Sequence, residues 1–518
     1  MRHAMRILLI AALLATLSAC APPSDGRGAT LGETAGPGTT EPVTHVIAGD
    51  DWGYPSPFAF YNRGPGYVTM SLLFDTLVWK DAEGYIPWLA TDWTASDDGL
   101  AWTFALRDGV SWHDGTPLTA EDVAFSYTYM AARNDDGMLT WGYPLDRVAG
   151  ATASEDGRTV TIRIAEPTAG LLLDLFGALP IIPRHIWEGV EDPVRKLDEE
   201  AVVGSGMFRL REYSREEGRY VFEANPVFFL GKASVDLLVY VRTTDPAVAL
   251  LSGEVDEASF SGKAIASVEH LRETPGLQVL EGPSDWTLKL YMNTTREPLN
   301  VREVRQAIAY SVDRQDIVEK AQLGGAVVAS TGILSPGTSW HHPDLPTYAH
   351  DPARARALLE EAGAAPFATT LVTTEQYVRD AELIRAYLEE IGIDATVRTA
   401  DRATVDNLLN EGGFDLLITG HGGGANPDMD APSPPAAWVS GEYAAVYAAS
   451  RAAIDDAERR EQVWRLQEIV AEELPVLALW HPQMWEVYRP GVARPLYTPG
   501  GIAGGIPLAT NKLMFLPQ

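Results

Sequence analysis

The sequence predicts a protein of the α/β class, because strand-like and helix-like patterns alternate along most of the chain. Several short runs alternate apolar with polar or small residues, which is typical of strands with one buried face. Other runs repeat apolar residues at helical spacing and are bounded by capping residues and glycines. From residue 300 to residue 418 the two kinds of run follow one another as α/β units do.

The first clear strand covers residues 102–106, where Trp102, Phe104 and Leu106 alternate with smaller or polar residues. A turn follows at Asp108-Gly109. The next apolar pair, at residues 110 and 112, predicts the start of a second strand.

A helix is predicted after Thr119, which can cap its amino end. Glu121 and Asp122 fall in the first turn, where negative charge is favourable against the helix dipole. Apolar side chains recur at helical spacing at Val123, Tyr127 and Met130.

Helices and strands alternate in the second half of the chain. Asn300 followed by Glu303 resembles a capping box, and Asp351 before a proline predicts a helix that Gly363 ends. A further helix at 378–391 leads into an alternating strand at 393–397. A short apolar strand at 414–418 is followed by the glycine-rich segment 420–424.

Length and charge limit the function classes. The chain has 518 residues, and a body of this size is expected to divide into two or three domains. It carries 71 acidic and 40 basic residues, for a formal net charge of −31. Such acidity argues against a nucleic-acid partner and against attraction to anionic lipid headgroups.

The first 20 residues predict export. Arg2 and Arg6 precede an apolar run at 7–17, which is too short to span a bilayer. Residues 1–19 are therefore predicted to be a secretory signal peptide. Cys20 is the only cysteine and lies where a bacterial lipoprotein is cleaved and lipidated, in a segment that resembles a lipobox. The alternative is a lone buried cysteine after a chance apolar run.

Residues 20–42 are rich in proline and glycine and nearly lack large apolar side chains. Such a segment cannot bury enough surface to offset its ordering entropy. We expect a flexible linker between a lipid anchor and a folded body that begins near Val43.

The motifs of common enzymes are absent from the sequence: it contains no HExxH, no GxxxxGK[ST] and no GxSxG. Residues 421–424, His-Gly-Gly-Gly, resemble the oxyanion loop of some esterases. Without a nucleophile elbow, a glycine-rich turn is the better interpretation. The sequence thus predicts neither an enzyme nor a bound cofactor or metal, and a secreted hydrolase is a remote alternative.

A family resemblance rests on motifs that occur in a fixed order. The sequence is similar to the family 5 extracellular solute-binding proteins, the receptors of oligopeptide, dipeptide and nickel ABC importers. The matching segments are 73–77, 84–87, 89–90, 102–107, 113–123, 204–206, 225–229, 304–314 and 351–363. Residues 207 and 208, Met-Phe, depart slightly from the family pattern.

The resemblance implies a two-lobed, three-domain fold of the periplasmic-binding-protein type, class II, with a central cleft. It implies a lobe 1 (domain I) made of residues 43–75, 181–283 and 481–518, and an extra domain II at 76–180. Lobe 2 (domain III) would cover 284–480. The two chain crossings, near Asp285 and Trp480, would serve as hinges.

The resemblance also implies a function. The protein would be a monomeric, lipid-anchored receptor facing the periplasm or cell exterior. It would capture oligopeptides or dipeptides by hinge closure and deliver them to the permease and ATPase subunits of an ABC importer. An oligosaccharide or a nickel chelate is an alternative ligand, and a structural cell-surface scaffold is an alternative of another class.

Candidate ligand contacts come from tryptophans near predicted loops and from the segment that follows residue 418. In family members that bind peptides, an aspartate in this segment holds the peptide amino terminus; here Asn426 or Asp428 would replace it, and Asp428 would give the stronger, charge-assisted bond. Backbone pairing with a ligand is expected along 420–422 and near Tyr67. The candidates are Trp52, Tyr67, Trp286, Asn293, Gly420, His421, Asn426, Asp428 and Trp480.

Overall fold

Mixed sheets with helices packed against them form the protein, as the α/β pattern predicts. The computed structural model describes residues 41–61, 64–135, 138–139, 142–282, 284, 286–338, 340–421, 438, 440–491, 493–499, 501–503 and 509–517. Within these residues no helix is both long and apolar enough to cross a bilayer.

The strands are β1 (Thr44–Gly49), β2 (Val78–Lys80), β3 (Tyr85–Pro87), β4 (Ala90–Ala95), β5 (Ala101–Leu106), β6 (Val148–Ala153), β7 (Thr159–Ile164), β8 (Phe208–Ser214), β9 (Arg219–Ala224), β10 (Leu237–Arg242), β11 (Glu257–Ser261), β12 (Gln278–Gly282), β13 (Thr287–Met292), β14 (Ala326–Val328), β15 (Phe367–Thr373), β16 (Ile393–Thr399), β17 (Leu416–His421), β18 (Val476–Pro482) and β19 (Met484–Tyr488).

The helices are α1 (Gly64–Ser71), α2 (Ala120–Asp135), α3 (Arg184–Trp187), α4 (Pro246–Ser252), α5 (Ile265–Arg272), α6 (Arg302–Ser311), α7 (Arg314–Ala321), α8 (Pro352–Glu361), α9 (Val378–Glu390), α10 (Arg402–Glu411), α11 (Gly441–Ala452) and α12 (Asp456–Glu473).

Two large sheets and one smaller sheet organise the described residues. The first sheet has the order β12-β19-β11-β1-β10-β9-β8, and the second has the order β14-β18-β13-β17-β15-β16. The third, β4-β5-β7-β6, lies wholly between residues 90 and 164. The first and third sheets share one hydrophobic core, whereas the second sheet has cores of its own.

The chain crosses from the first sheet to the second between β12 and β13, and returns between β18 and β19. The return involves a single residue, Gln483, because β18 ends at residue 482 and β19 begins at residue 484. The two crossings are adjacent: Nδ1 of His481 lies 3.1 Å from the carbonyl oxygen of Trp286. Gly262 and Gly325 meet here so closely that a Cβ on Gly325 would lie 1.9 Å from the Gly262 carbonyl oxygen. This proximity of the two crossings is the geometry that a hinge between two sheets requires.

Most of the predicted elements are confirmed. The structure places β5, α2, α9 and β16 where the apolar patterns predict them. In α8, the carboxylate of Asp351 accepts a hydrogen bond from the Arg354 N–H, and Gly363 follows with φ 61°. These termini are fixed by neighbouring residues in sequence, which is why local patterns locate them.

Three predicted details are wrong. Residues 110–112 form no strand, since only an isolated bridge joins Ser111 to Pro117. Asn300 does not cap α6; Val301 precedes that helix without a side-chain cap. Strand β17 continues through Gly420 to His421, so the glycine-rich segment begins inside a strand rather than after it.

Candidate functional site

An aromatic cluster lies at one end of the second sheet. Trp286 directly precedes β13, Trp480 lies in β18 and Tyr377 directly precedes α9. The ring centroid of Trp286 is 5.4 Å from that of Trp480 and 6.0 Å from that of Tyr377. Trp480 is buried and Trp286 is half-buried, so Trp286 is the member that offers a surface to a ligand.

A buried carboxylate holds this cluster in place. The Trp480 Nε1–H donates to Asp380 Oδ1 at 2.8 Å, and the Gln322 amide donates to both Asp380 oxygens at 3.0 and 3.2 Å. Burial raises the pKa of Asp380, and the bonds from Trp480 and Gln322 act in the opposite direction. Asp380 therefore fixes the orientation of the Trp480 indole through this hydrogen bond, and its own side chain is buried and inaccessible to solvent.

Gly420 lies beside Trp286, whereas the side chain of His421, the next residue of β17, lies on the opposite face of the sheet. A Cβ on Gly420 would fall 1.8 Å from Cζ2 of Trp286, so only glycine leaves room for the indole. The ring of His421 packs edge-on against Tyr291, whose hydroxyl lies 3.4 Å from His421 Nδ1. Three of the candidate residues are thus brought together, Trp286, Gly420 and Trp480, and His421 lies apart from them.

Strand β17 has an open backbone edge at this position. On one side it pairs with β13 along its whole length, from the pair Thr287 and His421 to the pair Met292 and Leu416. On the other side only two of its residues pair with β15: Leu416 with Leu371, and Leu417 with Val372. Beyond that point no register pair joins residues 419 and 420 to another described strand on this side. Such an edge can accept an extended ligand as an added strand.

Trp52 lies apart from this group, at a cavity of about 300 Å³ in the first sheet. The cavity opens where the parallel strands β1 and β10 end, which is where α/β sheets collect ligands. The Trp52 indole stacks on Tyr220 with a centroid separation of 6.1 Å and meets Tyr240 edge-on at 5.4 Å. The residues that line the cavity include Ile47, Asp50, Trp52, Val68, Tyr240 and Ser259.

A second cavity, of about 180 Å³, lies between residues of the 76–180 segment and residues of 284–480. Trp102 and Thr168 line it from the first segment, and Trp340 and Ile454 from the second. Close to it, the Ala169 N–H donates to the Arg451 carbonyl oxygen at 2.9 Å. The two segments therefore touch in this structure, and the residues in contact are distant in sequence from both crossings.

The predicted ligand contacts of two candidate residues are corrected by the structure. Tyr67 is completely buried in α1, and its hydroxyl donates to the Ala178 carbonyl oxygen at 2.8 Å. Asn293 is also completely buried, and its amide donates to the carbonyl oxygens of Gly412 and Phe414. Both side chains hold the fold together, and neither is placed to contact a ligand.

Three candidates lie outside the described residues: Cys20, Asn426 and Asp428. Local sequence patterns do not point to Tyr377, Asp380 and Tyr240, because their roles depend on contacts with residues distant in sequence. A weak signal exists for Tyr377, since it follows β15 closely, at the end of the sheet where Trp286 lies.

Comparisons with known proteins agree with this architecture. The model for "Bacterial extracellular solute-binding proteins, family 5 Middle" matches residues 84–440. Di/tripeptide-binding protein 2 of Pseudomonas aeruginosa is 27% identical over 444 residues, which cover 79% of this chain and 83% of that protein.

Solved structures show the same fold. The ABC transporter substrate-binding protein CtaP of Listeria monocytogenes superposes with a TM-score of 0.78 and 22% identity, over 92% of this chain and 100% of that one. The periplasmic binding protein DppA of Helicobacter pylori, in complex with the peptide STSA, gives a TM-score of 0.70 and 22% identity, over 90% and 97%. With more than half of its length matched by the family model, the chain belongs to the bacterial extracellular solute-binding proteins of family 5.

Proposed function

We propose that this protein is the receptor of an ABC importer that captures short peptides between its lobes and delivers them to a permease. ATP hydrolysis would belong to the importer's ATPase subunits, and the receptor would have no catalytic cycle of its own. The names of its relatives support a peptide ligand, since the Pseudomonas protein is a di/tripeptide-binding protein and the Helicobacter structure holds a peptide.

The observation that carries the proposal is the open edge of β17 beside Trp286. A peptide has its own alternating N–H and C=O groups, so it can complete this edge at residues 419 and 420 whatever its side chains are. A sugar or a metal chelate lacks such a backbone. Trp286 would then cover the added segment with an aromatic face.

The amino terminus of the peptide would be held by the segment that follows His421. Asp428 is the stronger candidate, because a carboxylate bonds an ammonium group about twice as strongly as the neutral amide of Asn426 does. This assignment rests on the family resemblance.

Closure would use the domain division expected from the resemblance: lobe 1 at 43–75, 181–283 and 481–518, domain II at 76–180 and lobe 2 at 284–480. The separate cores of the second sheet support this division. The hinge would lie at the paired crossings, where Gly262 meets Gly325. Ligand binding would shift an equilibrium between open and closed forms.

The receptor would be tethered to the membrane. After removal of residues 1–19, lipid on Cys20 would hold the protein at the cell surface or in the periplasm. Residues 20–42 would form the flexible linker between this anchor and the folded body. The protein would act as a monomer.

Titration calorimetry on the purified protein tests the proposal. The probes are tri-alanine, N-acetyl-tri-alanine, maltotriose and the nickel–histidine complex. We expect tri-alanine to bind, and the acetylated peptide to bind more weakly because acetylation removes the ammonium charge. Binding of maltotriose or nickel–histidine in preference to every peptide would overturn the proposal.

A variant pair tests the anchor. Asp428→Asn is expected to weaken tri-alanine binding and to leave the acetylated peptide nearly unaffected. Asp430→Asn, in the same segment, serves as the matched control. Equal loss in both variants would remove Asp428 from the role.

A further inference from the structure

The cavity beside Trp52 is lined by apolar side chains, by hydroxyl-bearing side chains and by the carboxylate of Asp50. Ile47, Val68 and Trp52 belong to the walls. The hydroxyl-bearing residues Tyr240, Ser259 and Thr510 also line it. At about 300 Å³ it is large enough for a long side chain or a small ligand.

The Tyr240 hydroxyl lacks a partner. The residue is only 2% exposed, yet its hydroxyl makes no hydrogen bond to any of the described residues. A buried hydroxyl left in this state is costly, so a bound group that bonds to it would remove that cost.

Two buried carboxyl groups lie directly behind the other hydroxyls. Ser259 Oγ donates to Glu486 Oε2 at 2.6 Å, across the register pair that joins β11 to β19. Glu257 lies beside Glu486 and Thr510, and one oxygen of each glutamate accepts no hydrogen bond from the described residues. Both glutamates are at most 1% exposed. Burial raises the pKa of Glu257 to about 8 and raises the pKa of Glu486 as well, which favours a proton on the pair at neutral pH.

The groups around this pair supply no positive charge. His45 Nε2 lies 2.9 Å from Glu257 Oε2, but burial lowers the pKa of His45 to about 4, so His45 is neutral at pH 7. Asp256, Tyr240 and Tyr497 also face the pair, and none of them is cationic. Arg489 is nearby in sequence but donates to the Leu250 carbonyl. Among the described residues, no lysine or arginine forms an ion pair with either glutamate.

We propose that this cavity binds the basic side chain of a peptide ligand, lysine or arginine, with its stem along Trp52 and its cation near the hydroxyl groups of Tyr240, Ser259 and Thr510. The proposal rests on the peptide-receptor function proposed above and names a side-chain class for it. Lysine and arginine combine an apolar stem with a cationic head, as the lining of the cavity combines apolar side chains with hydroxyl groups and a carboxylate. The indole of Trp52 adds a favourable face for a cation.

The buried acids give the proposal a distinctive consequence. A cation at the hydroxyls favours the ionised form of a nearby carboxyl group, so the Glu257–Glu486 pair should lose a proton when the cation binds. The proton passes to the buffer. A neutral side chain of equal length would cause no such release.

Calorimetry with matched tripeptides tests this. Lysine is placed in turn at each position of tri-alanine and compared with norleucine at the same position, in phosphate and in Tris at pH 7. We expect lysine at one position to bind about tenfold more tightly than norleucine, as one bond to a charged group implies. At that position the binding enthalpy should differ between the buffers for lysine and agree between them for norleucine.

The variants Glu486→Gln and Ser259→Ala are each expected to reduce the lysine-to-norleucine affinity ratio to below about threefold. Glu254→Gln, an exposed glutamate, is the matched control and should keep the ratio. Ser259→Ala makes the test independent of whether the Gln variant folds. Equal binding of lysine and norleucine peptides at every position would overturn this inference while leaving the peptide-receptor function intact. A failure of all peptides to bind would refute both.

Discussion

The indole of Trp286 lies against the backbone of Gly420, so closely that a Cβ at residue 420 would be 1.8 Å from the ring. The two residues belong to neighbouring positions of the second sheet, since Trp286 precedes β13 and Leu288 of that strand is paired with Gly420. The missing side chain of Gly420 is therefore what sets the position of the aromatic surface beside the open edge of β17.

Gly420→Ala tests this relationship. The added methyl group has no room, so we expect Trp286 to be displaced and tri-alanine affinity to fall, with a stability cost of about 1–3 kcal/mol from overpacking. Calorimetry and tryptophan fluorescence measure the two effects. Gly441→Ala, where a Cβ meets open space, is the matched control. Unchanged affinity and fluorescence in the Gly420 variant would show that Trp286 does not depend on this contact.

A buried ion pair fixes the carboxyl-terminal segment. Lys512 Nζ lies 2.9 Å from Asp75 Oδ1, both side chains are at most 1% exposed, and the ammonium group lies over the rings of Trp79 and Trp88. Lys512→Met leaves the carboxylate uncompensated, so we expect unfolding free energy to fall by about 3–5 kcal/mol.

Urea denaturation measures that loss. Lys320→Met removes a more exposed partner of Asp316, and should cost at most about 1 kcal/mol. Similar losses in the two variants would mean that the Asp75–Lys512 pair contributes no more than a surface pair. Adding Asp75→Asn to Lys512→Met should recover part of the loss, because no unpaired charge then stays buried.

The buried acid pair predicts a pH dependence of stability. Burial raises the pKa of Glu257 from its ordinary value of 4.5 to about 8, and raises that of Glu486 as well. Between pH 4.5 and about pH 8 the folded protein therefore binds more protons than the unfolded chain does. The contribution of the pair to the free energy of unfolding falls as the pH rises through this interval. His45, whose pKa is lowered, acts in the opposite direction but only below about pH 6.5.

Urea denaturation at pH 6.5 and pH 8 isolates the acid pair. Glu486→Gln should show a smaller loss of stability over this interval than the unaltered protein does, because one titrating carboxyl group has gone. Identical losses would indicate that Glu486 does not contribute to this pH dependence.

Local chemistry made part of the fold predictable. The helix that follows Asp351 could be located because its cap, its proline and Gly363 are all near in sequence. Tyr67 could not be assigned in this way. It was predicted to lie near a backbone segment that pairs with the ligand, but its hydroxyl bonds to Ala178, 111 residues further along the chain.

The candidate site was predictable to the same extent. Trp286 and Trp480 were identified because they lie near the expected crossings, and the structure brings their rings to 5.4 Å. Asp380 was missed, because its role depends on bonds to Gln322 and Trp480, which are 58 and 100 residues away. A carboxylate beside no obvious partner in sequence gives no sign of such a network.

The lipid anchor is tested by Cys20→Ser. Without a thiol no thioether-linked lipid can form, so we expect the variant to leave the membrane fraction or to keep its signal peptide. Mass spectrometry of the amino terminus and membrane fractionation measure this. An amino-terminal acyl group that still holds the Ser variant to membranes would contradict the lipoprotein assignment.

Closure around a peptide is tested most directly by small-angle scattering of the purified protein, with and without tri-alanine at a concentration that calorimetry shows to be saturating. The paired crossings and the contact of Ala169 with Arg451 predict that the ligand favours a form in which the lobes touch. We expect the radius of gyration to decrease on binding. An unchanged radius at proven saturation would contradict hinge closure.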